Sequence, residues 1–264
     1  MMAEIILEAK SLRKEFGGLV AVDDVSLQVK SGSLHSIIGP NGAGKTTFFN
    51  LLSGNLRPTR GRLIYEGRDI TNMPLYRRAH FGIGRSFQIT NVFSNMSVFE
   101  NVRLAAQAID SRSMVMFTHY LRFTSYQIKA LEAIETVGLS GMENVPAGAL
   151  PHGDKRKLEL AIILATDPKL LLLDEPTAGM ATEQVPEIIA TIDNVRKVGD
   201  KTVMLVEHNM SVVMSISDTI TVMNHGALLA EGTPEEIAGN TAVQSAYLGE
   251  LYGDFEDMSS SIGR

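Results

Sequence analysis

The sequence predicts an α/β protein in which a helical segment interrupts a chain that otherwise alternates strands and helices. Two continuous apolar runs, at residues 170–173 and 203–206, are typical of strands buried on both faces of a parallel sheet. Between about residues 95 and 165 the strand signals fade and helical patterns replace them. These observations together favour an α/β core with an inserted helical part.

The first third of the chain predicts strands around one helix. Apolar residues alternate with polar ones at 25–29, which predicts a half-buried strand, and residues 34–38 predict a second one. Residues 46–52 then predict a helix that Gly54 ends. Residues 63–65 predict a further strand before a Glu-Gly turn.

The middle of the chain predicts helices. Residues 97–100, Ser-Val-Phe-Glu, have the pattern of a capping box, in which a Ser and a Glu three residues later satisfy free N–H groups at a helix start. Helices are then expected at 104–109, 114–123 and 127–137. Composition alone does not separate a helical subdomain from ordinary crossover helices.

The last third of the chain predicts alternating elements again. A helix is expected at about 183–197 and a hairpin at 220–229, where Asn-His-Gly separates two apolar runs. Residues 233–236, Thr-Pro-Glu-Glu, predict a helix start with an N-cap, a proline in the first turn and a capping Glu.

One domain is expected over residues 4–250. Within it, residues 4–88 and 166–250 would form the core and a β-rich part, and residues 89–165 would form the helical part. The remaining residues, 251–264, are rich in Asp, Glu, Ser and Gly, so we expect a flexible tail.

Composition excludes several classes of protein. The chain has 264 residues, 44% of them apolar, and a net charge of −6 from 24 basic and 30 acidic side chains. This mix excludes a disordered or collagen-like chain, and the acidic balance argues against nonspecific nucleic-acid binding. The absence of cysteine excludes disulfides and thiolate metal sites. The longest apolar run has six residues, 160–165, whereas a membrane span needs about 20, so we expect neither a span nor a signal peptide.

Residues 39–46 match the phosphate-binding loop pattern G-x-x-x-x-G-K-[ST]. Its glycines let backbone N–H groups converge on phosphate oxygens, and the following helix directs its positive end at the anion. Lys45 would reach the β and γ phosphates, and the Thr46 hydroxyl would bind Mg²⁺. Kinases, GTPases and motor ATPases share this motif, so alone it predicts only nucleoside triphosphate binding. The candidate residues are Gly39, Pro40, Asn41, Gly42, Ala43, Gly44, Lys45, Thr46 and Thr47.

Carboxylates follow the apolar run at 170–173. Asp174 and Glu175 would lie at the carboxyl edge of a parallel sheet, where α/β proteins bind ligands. Asp174 would hold the magnesium through water, and Glu175 could activate an attacking water as a general base. His208 ends the next predicted strand, where it could contact a γ-phosphate. Alone, the two carboxylates would more often be a solvated strand end, and the histidine a surface residue or a satisfied core residue; behind a phosphate loop they predict a hydrolase.

The order of these motifs resembles that of the ATP-binding subunit of an ATP-binding-cassette (ABC) transporter, over essentially residues 4 to 250. Within that family the chain is most similar to the branched-chain amino-acid uptake branch. The segments that carry this similarity are 16–22, 95–102, 174–180, 206–210 and 246–249.

The resemblance implies a three-layer ATPase core with an antiparallel β subdomain and a helical subdomain. It implies that Phe16 stacks on adenine and that Gln88 touches Mg²⁺ and the attacking water. Residues 89–100 would shape the groove for the membrane subunit, and residues 178–180 would form the loop that crosses a dimer interface.

One segment departs from the family pattern. The signature Leu-Ser-Gly-Gly-Gln of the family is replaced, and Pro151 stands where the family's serine donates to the γ-phosphate of ATP on the opposite subunit. Proline has neither a hydroxyl nor an N–H. A hydrogen bond to a charged group contributes about 1.5–3 kcal/mol, so closure on that nucleotide would be roughly 10- to 100-fold weaker, unless the position is tolerant. The segment is Leu150, Pro151, His152, Gly153 and Asp154.

The function that the resemblance implies is ATP hydrolysis at the cytoplasmic face of the membrane, which drives amino-acid uptake through separate permease subunits. ATP and Mg²⁺ are the expected cofactors. The expected partners are a second ABC ATPase, identical or paralogous, the permease, and indirectly an extracytoplasmic solute-binding protein. Three alternatives stay open: an importer of another polar solute such as urea or amides, a soluble non-transport ABC ATPase, and a non-hydrolysing binding subunit. The presence of Gln88, Gly153 and His208 in the family order argues against another phosphate-loop enzyme such as a small-molecule kinase.

Overall fold

A computed structural model describes residues 4–86, 92–109, 124–199 and 201–247, apart from the side chains of residues 198 and 199. The chain divides into two units by its internal contacts. The first unit consists of Met1–Asn72 with Met204–Arg264, and the second consists of Met73–Val203. The domain boundaries expected from the sequence stay a prediction, and the expected tail lies outside the described residues.

An antiparallel sheet of four strands forms one part of the first unit. Its strands are β1 (Ile5–Phe16), β2 (Leu19–Lys30), β4 (Arg60–Tyr65) and β5 (Arg68–Asp69), in the order β2-β1-β4-β5. The strand predicted at 25–29 is confirmed as part of β2, whose buried residues alternate with exposed ones. The sequence analysis missed β1, because register shifts along its pairing with β2 interrupt the two-residue period.

The second sheet of this unit carries the phosphate loop. β3 (Leu34–Ile38) lies between β9 (Thr219–Asn224) and β8 (Thr202–Val206), and β10 (Ala227–Gly232) lies outside β9. β3 and β9 are parallel, and β9 and β10 form the predicted hairpin. Its turn, residues 225–226, has positive φ angles of 46° and 80°, as a tight hairpin turn requires.

The described part of the first unit also contains the helices α1 (Lys45–Ser53), α7 (Met210–Ile216) and α8 (Pro234–Ala238), and residues 241–247 are helical. The capping box predicted for α8 is confirmed, because the Thr233 hydroxyl accepts from the Glu236 N–H and the Glu236 carboxylate accepts from the Thr233 N–H at 2.8 Å. The helices bury apolar side chains against the sheet. One core cluster consists of Ile38, Val213, Ile220, Val222, Ile237 and Val243.

The second unit is mainly helical. Its helices are α2 (Leu75–His80), α3 (Val98–Ile109), α4 (Thr124–Thr136), α5 (His152–Leu164) and α6 (Val185–Gly199). α3, α4 and α5 pack on one another. The helices expected at 104–109, 127–137 and about 183–197 are confirmed, and the one expected at 114–123 lies outside the described residues.

The capping box expected at the start of α3 is only half formed. The Ser97 hydroxyl accepts from the Glu100 N–H at 3.2 Å. The Glu100 carboxylate instead accepts from the buried Arg103 guanidinium at 2.8 Å. An ion pair three residues along the helix therefore replaces the reciprocal half of the box.

A parallel pair of strands in the second unit carries the candidate carboxylate Asp174. β6 (Ile83–Arg85) and β7 (Leu170–Asp174) pair in parallel, and every residue of β7 is buried, as the apolar run predicted. β8 begins in this unit, where the Thr202 N–H donates to the Lys169 carbonyl at 2.9 Å. β7 therefore ends with its carboxylate at the carboxyl edge of parallel strands.

Candidate functional site

The predicted phosphate loop connects β3 to α1. Its backbone passes so close to neighbouring backbone at Gly44 that a side chain there would not fit. Gly44 has a φ of 93°, and a Cβ there would lie 2.4 Å from the Ala21 carbonyl oxygen. The Lys45 side chain is buried and donates to the carbonyl oxygens of Gly39 and Pro40, at 2.7 and 2.8 Å. The loop thus directs one ammonium group into a turn that only glycine backbone can form.

The start of α1 provides donors for an anion. Gly44 is the N-cap and supplies no side-chain acceptor to the first turn. The N–H groups of that turn and the positive end of the helix dipole then suit a phosphate. The Thr46 side chain is exposed and Thr47 is half-buried, while Asn41 and Gly42 lie on the exposed side of the loop. These residues fit the triphosphate and magnesium groups predicted from the sequence.

Phe16 ends β1 at a tight turn. Its side chain is 45% exposed, and the Lys14 ammonium lies 5.0 Å from the ring centroid. An exposed ring at a turn can stack on a flat heterocycle. The geometry therefore fits the adenine contact that the resemblance implied.

Asp174 lies at the end of β7 and is almost fully buried. Its backbone N–H donates to the Ser86 hydroxyl at 2.9 Å, and the Arg85 guanidinium lies 3.6 Å from its carboxylate. Burial lowers the pKa of Arg85, and the Asp174 carboxylate opposes that effect. The carboxylate is thus held beside a positive charge at the sheet edge.

Glu175 follows in a left-handed backbone conformation, with a φ of 49°. A non-glycine residue rarely adopts this conformation, and it occurs mostly where the surroundings enforce it. The Ala178 N–H donates to the Glu175 carbonyl oxygen at 3.0 Å, which closes a turn around residues 175–178. The side chain is half-buried, so its carboxylate can reach a ligand.

His208 follows β8 and is exposed. The buried Glu207 carboxylate accepts from the N–H groups of His208 and Asn209, at 3.0 and 3.4 Å. Sequence reasoning missed Glu207, although a carboxylate immediately before a candidate catalytic residue was a visible signal. It fixes the backbone that carries the imidazole.

The signature segment forms the start of α5. Pro151 is its N-cap and makes no side-chain cap bond, and His152 and Gly153 are in the first turn. A Cβ on Gly153 would lie 3.2 Å from the Gln184 amide, and a Cβ on Gly179 would lie 3.4 Å from the His152 ring. The segment therefore packs within this unit against the residues that follow Glu175.

Gln88 lies outside the described residues, as do residues 87–91 around it. The following turn exposes Phe93 and Met96, by 61% and 41%. Asn101 organises this turn, because its amide oxygen accepts from the Phe93 N–H at 2.8 Å and its amide group donates to the Phe93 carbonyl at 3.1 Å. Sequence reasoning did not single out Asn101.

The candidate residues fall in both units. The phosphate loop, Phe16 and His208 belong to the first unit, and Asp174, Glu175 and the signature belong to the second. Over the described ranges, no cluster of three His, Cys, Asp or Glu side chains could hold a metal ion. Mg²⁺ bound with substrate phosphates usually needs only one or two protein carboxylates, so a site for it need not contain such a cluster. In the same ranges no helix is long and apolar enough to cross a bilayer.

Comparison with protein families gives two matches. The family described as "ABC transporter" matches residues 22–178, and the family described as "Branched-chain amino acid ATP-binding cassette transporter" matches residues 227–252. The second match covers β10 and α8 and includes residues 246–249, one of the segments on which the sequence resemblance rests.

Curated relatives match almost the whole chain. The high-affinity branched-chain amino acid transport ATP-binding protein BraF of Pseudomonas aeruginosa is 41% identical over 254 residues, which are 94% of this chain and 100% of BraF. The corresponding protein LivG of Escherichia coli is 38% identical over 256 residues, again 94% of this chain and 100% of LivG.

Solved structures of similar fold are ATP-binding cassettes. A nucleotide-free ATP-binding cassette from an ABC transporter superposes with a TM-score of 0.82 at 30% identity and covers 92% of this chain and 99% of its own. The ADP conformation of the cassette MJ1267 superposes with a TM-score of 0.80 at 30% identity, over 93% of this chain and 99% of its own.

Proposed function

Since this chain belongs to the ABC transporter family, we propose that it is the ATP-hydrolysing subunit of an importer of branched-chain amino acids. The observation that carries the substrate class is the 41% identity to BraF, a branched-chain amino acid transport protein, over that protein's full length. The family match at residues 227–252 supports the same branch. As an ABC ATP-binding subunit, the chain is an ATPase.

The phosphate loop and Phe16 bind the nucleotide in this proposal. Lys45 contacts the β and γ phosphates, for which it leaves the carbonyl oxygens of Gly39 and Pro40. The first-turn N–H groups of α1 hold the phosphates. The exposed ring of Phe16 stacks on the adenine base.

Asp174 and Glu175 have separate roles in this proposal, metal binding and proton transfer. The Thr46 hydroxyl and the Asp174 carboxylate would hold Mg²⁺, with Gln88 as a further contact, and the ion supplies charge neutralisation at the phosphates. Glu175 accepts the proton of the water that attacks the γ-phosphate. The exposed His208 contacts the γ-phosphate from the backbone that Glu207 fixes, so it responds to loss of that group.

A second ABC ATPase subunit completes the site. In a head-to-tail pair, each nucleotide lies between one chain's phosphate loop and the other chain's signature. Pro151, without a hydroxyl, weakens only the site on the partner's phosphate loop. A paralogue with an intact signature would then complete this chain's own site. This favours a heterodimer, in which one of the two nucleotides is held more weakly.

Permease subunits provide the membrane passage. Phe93 and Met96 are exposed on a turn that Asn101 orders, and such an apolar surface suits a helix of a membrane partner. Selectivity for the amino acid then resides in the permease and in an extracytoplasmic solute-binding protein. The chain itself acts as a peripheral subunit at the cytoplasmic face.

Light scattering on the Glu175→Gln variant, with and without Mg-ATP, tests the assembly and the base together. The variant should bind ATP with the wild-type affinity and turn it over far more slowly, because the amide cannot accept the proton of the attacking water. A shift from monomer to dimer in Mg-ATP would support a viable homodimer. A persistent monomer with bound ATP would support the heterodimer, and turnover at the wild-type rate would rule out Glu175 as the base.

The transported substrate is tested in cells. Deletion of the gene should abolish high-affinity uptake of labelled leucine, and the wild-type chain should restore it whereas Lys45→Ala should not. Unchanged leucine uptake together with lost uptake of urea or an amide would contradict the proposed substrate class and leave the ATPase assignment intact.

A further inference from the structure

Arg156 on α5 lies between the signature segment and the loop that follows the proposed catalytic base. Its side chain is 10% exposed, and its guanidinium donates to the Glu159 carboxylate at 2.9 Å. A second guanidinium nitrogen lies 3.4 Å from the carbonyl oxygen of Ala178. The fork of the guanidinium thus joins a helix side chain to the backbone of the loop.

The contact to Ala178 reaches Glu175 in one further step. The Ala178 N–H donates to the Glu175 carbonyl oxygen at 3.0 Å, and Glu175 has the left-handed φ of 49°. A non-glycine residue keeps this backbone conformation only while the surrounding structure enforces it. The turn therefore also sets the direction in which the Glu175 side chain leaves the backbone. Arg156 donates to the carbonyl oxygen of Ala178, the last residue of that turn.

The same pair borders the magnesium ligand. A cavity of about 20 Å³ is lined by Ser86, Arg156, Glu159 and Asp174 among apolar residues. That volume is enough for one water molecule. The Glu159 carboxylate oxygen that does not bond Arg156 is buried and makes no hydrogen bond to any described residue. The pair therefore lies against the carboxyl end of β7 as well as against the loop.

We infer that Arg156, held by Glu159, is a positioning residue that sets the direction of the Glu175 carboxylate from the signature helix. This inference rests on the role proposed above for Glu175. Movement of α5 then changes the position of the base in the same chain. The signature of one subunit would act on two sites: on the partner's nucleotide through the start of α5, and on its own through Arg156.

Lys157, the next residue on the helix, provides a matched control. Its side chain is 8% exposed and its ammonium lies 2.6 Å from the Glu187 carboxylate, so it joins α5 to α6 and not to the loop. Burial alone would lower the pKa of Lys157, but its bonds to Glu187 and Asp154 outweigh that effect and raise it. Lys157→Met therefore removes a comparable ion pair from the same helix.

The test uses the full chain and the fact that it contains no cysteine. A spin label on Ala178→Cys, whose side chain is exposed, reports the mobility of the loop. Arg156→Lys keeps a cation beside Glu159 but loses the fork, and the double variant Arg156→Met with Glu159→Leu removes both charges. Both changes should increase the label's mobility, whereas Lys157→Met should not.

Turnover is measured on the unlabelled chains at several protein concentrations, so that weaker dimerisation is separated from slower chemistry. Both Arg156 changes should lower kcat at least about tenfold with KM for ATP unchanged, because a base misplaced by about 1 Å loses rate without losing binding. An immobile label in the double variant, an unchanged kcat, or an equal effect of Lys157→Met would each overturn the inference. Wild-type turnover in Glu175→Gln would instead overturn the base assignment, and the label would still report on the Arg156 contact.

Discussion

His35 is a buried histidine, the second residue of β3, four residues before the phosphate loop. Its Nε2 atom lies 2.7 Å from the Thr221 hydroxyl, which donates its own proton to the Glu231 carboxylate at 3.0 Å. The hydroxyl can therefore only accept from His35, which assigns the proton of the neutral ring to Nε2. Burial lowers the pKa of His35 to about 4.

Stability should therefore fall in acid because of His35. The unfolded chain takes up the proton near pH 6.5 and the folded chain near pH 4, so unfolding binds a proton between these values. The loss should begin below about pH 6.5, be complete near pH 4, and amount to about 3 kcal/mol. Urea unfolding at pH 7.5, 5.5 and 4.5 measures it, and His35→Gln should flatten the curve.

A matched control comes from His80, which is exposed on α2. His80→Gln should keep the wild-type dependence on pH, because this change leaves the buried imidazole in place. If His35→Gln destabilises the chain equally at every pH, the ring packs in the core without the assigned proton linkage.

At this scale the sequence predicts residues whose chemistry is local and misses those whose role depends on folded contacts. Asp174 and Lys45 were identifiable because each stands at a fixed place in a motif. Asn101 and Glu207 were missed, because their partners are backbone groups of a turn and a strand end that only the fold brings to them. The loop contact of Arg156 spans 22 residues, and no local pattern marks it.

Among the elements, α5 begins without a side-chain cap. Its N-cap, Pro151, has the extended backbone of a capping residue, with a ψ of 160°, and its carbonyl accepts from the Lys155 N–H, but its side chain offers no acceptor to the first turn. α8 shows the alternative, since its N-cap Thr233 accepts from the Glu236 N–H. A serine at position 151 could cap α5 in the same way without a backbone change.

Pro151→Ser should therefore stabilise the chain relative to Pro151→Ala by about 1 kcal/mol, which corresponds to a rise of roughly 2–4 °C in Tm. The alanine variant controls for removal of the proline ring, which alone changes the unfolded chain. In the Glu175→Gln background, serine should also strengthen Mg-ATP-driven dimerisation about 10- to 100-fold. Equal behaviour of serine and alanine in both assays would mean that the family hydroxyl has no role in this chain.

Elements were predictable where one signal dominated. The glycines around residues 39–46, the apolar run of β7 and the Thr-Pro-Glu-Glu start of α8 each indicated one structure. β1 has twelve residues and went unrecognised, because its pairing with β2 shifts register four times and its side chains do not alternate regularly. At the start of α3, Arg103 competes for the Glu100 carboxylate, and sequence order does not rank such competitors.

For the whole molecule, the proposed nucleotide-binding and metal-binding residues belong to different units, which allows a test of how nucleotide binding couples to folding. The phosphate loop belongs to the unit formed by Met1–Asn72 and Met204–Arg264, and Asp174 belongs to Met73–Val203. A ligand that binds only the folded chain stabilises it by about 2.7 kcal/mol at a concentration 100 times its Kd. For a chain of this size that corresponds to a rise of roughly 5–10 °C in Tm.

Mg-ATP should raise the Tm of the wild-type chain by this amount, and Lys45→Ala should abolish the rise because it removes the cation that meets the phosphates. If calorimetry resolves two transitions, the unit that holds the phosphate loop should shift more, and EDTA should reduce the shift of the unit that holds Asp174. Changes in Tm are compared within each variant, so any intrinsic cost of the substitution cancels. An equal rise in Lys45→Ala would place the nucleotide elsewhere. If ATP without Mg²⁺ shifts both transitions equally, then Mg²⁺ bound to Asp174 makes no separate contribution to the stability of that unit.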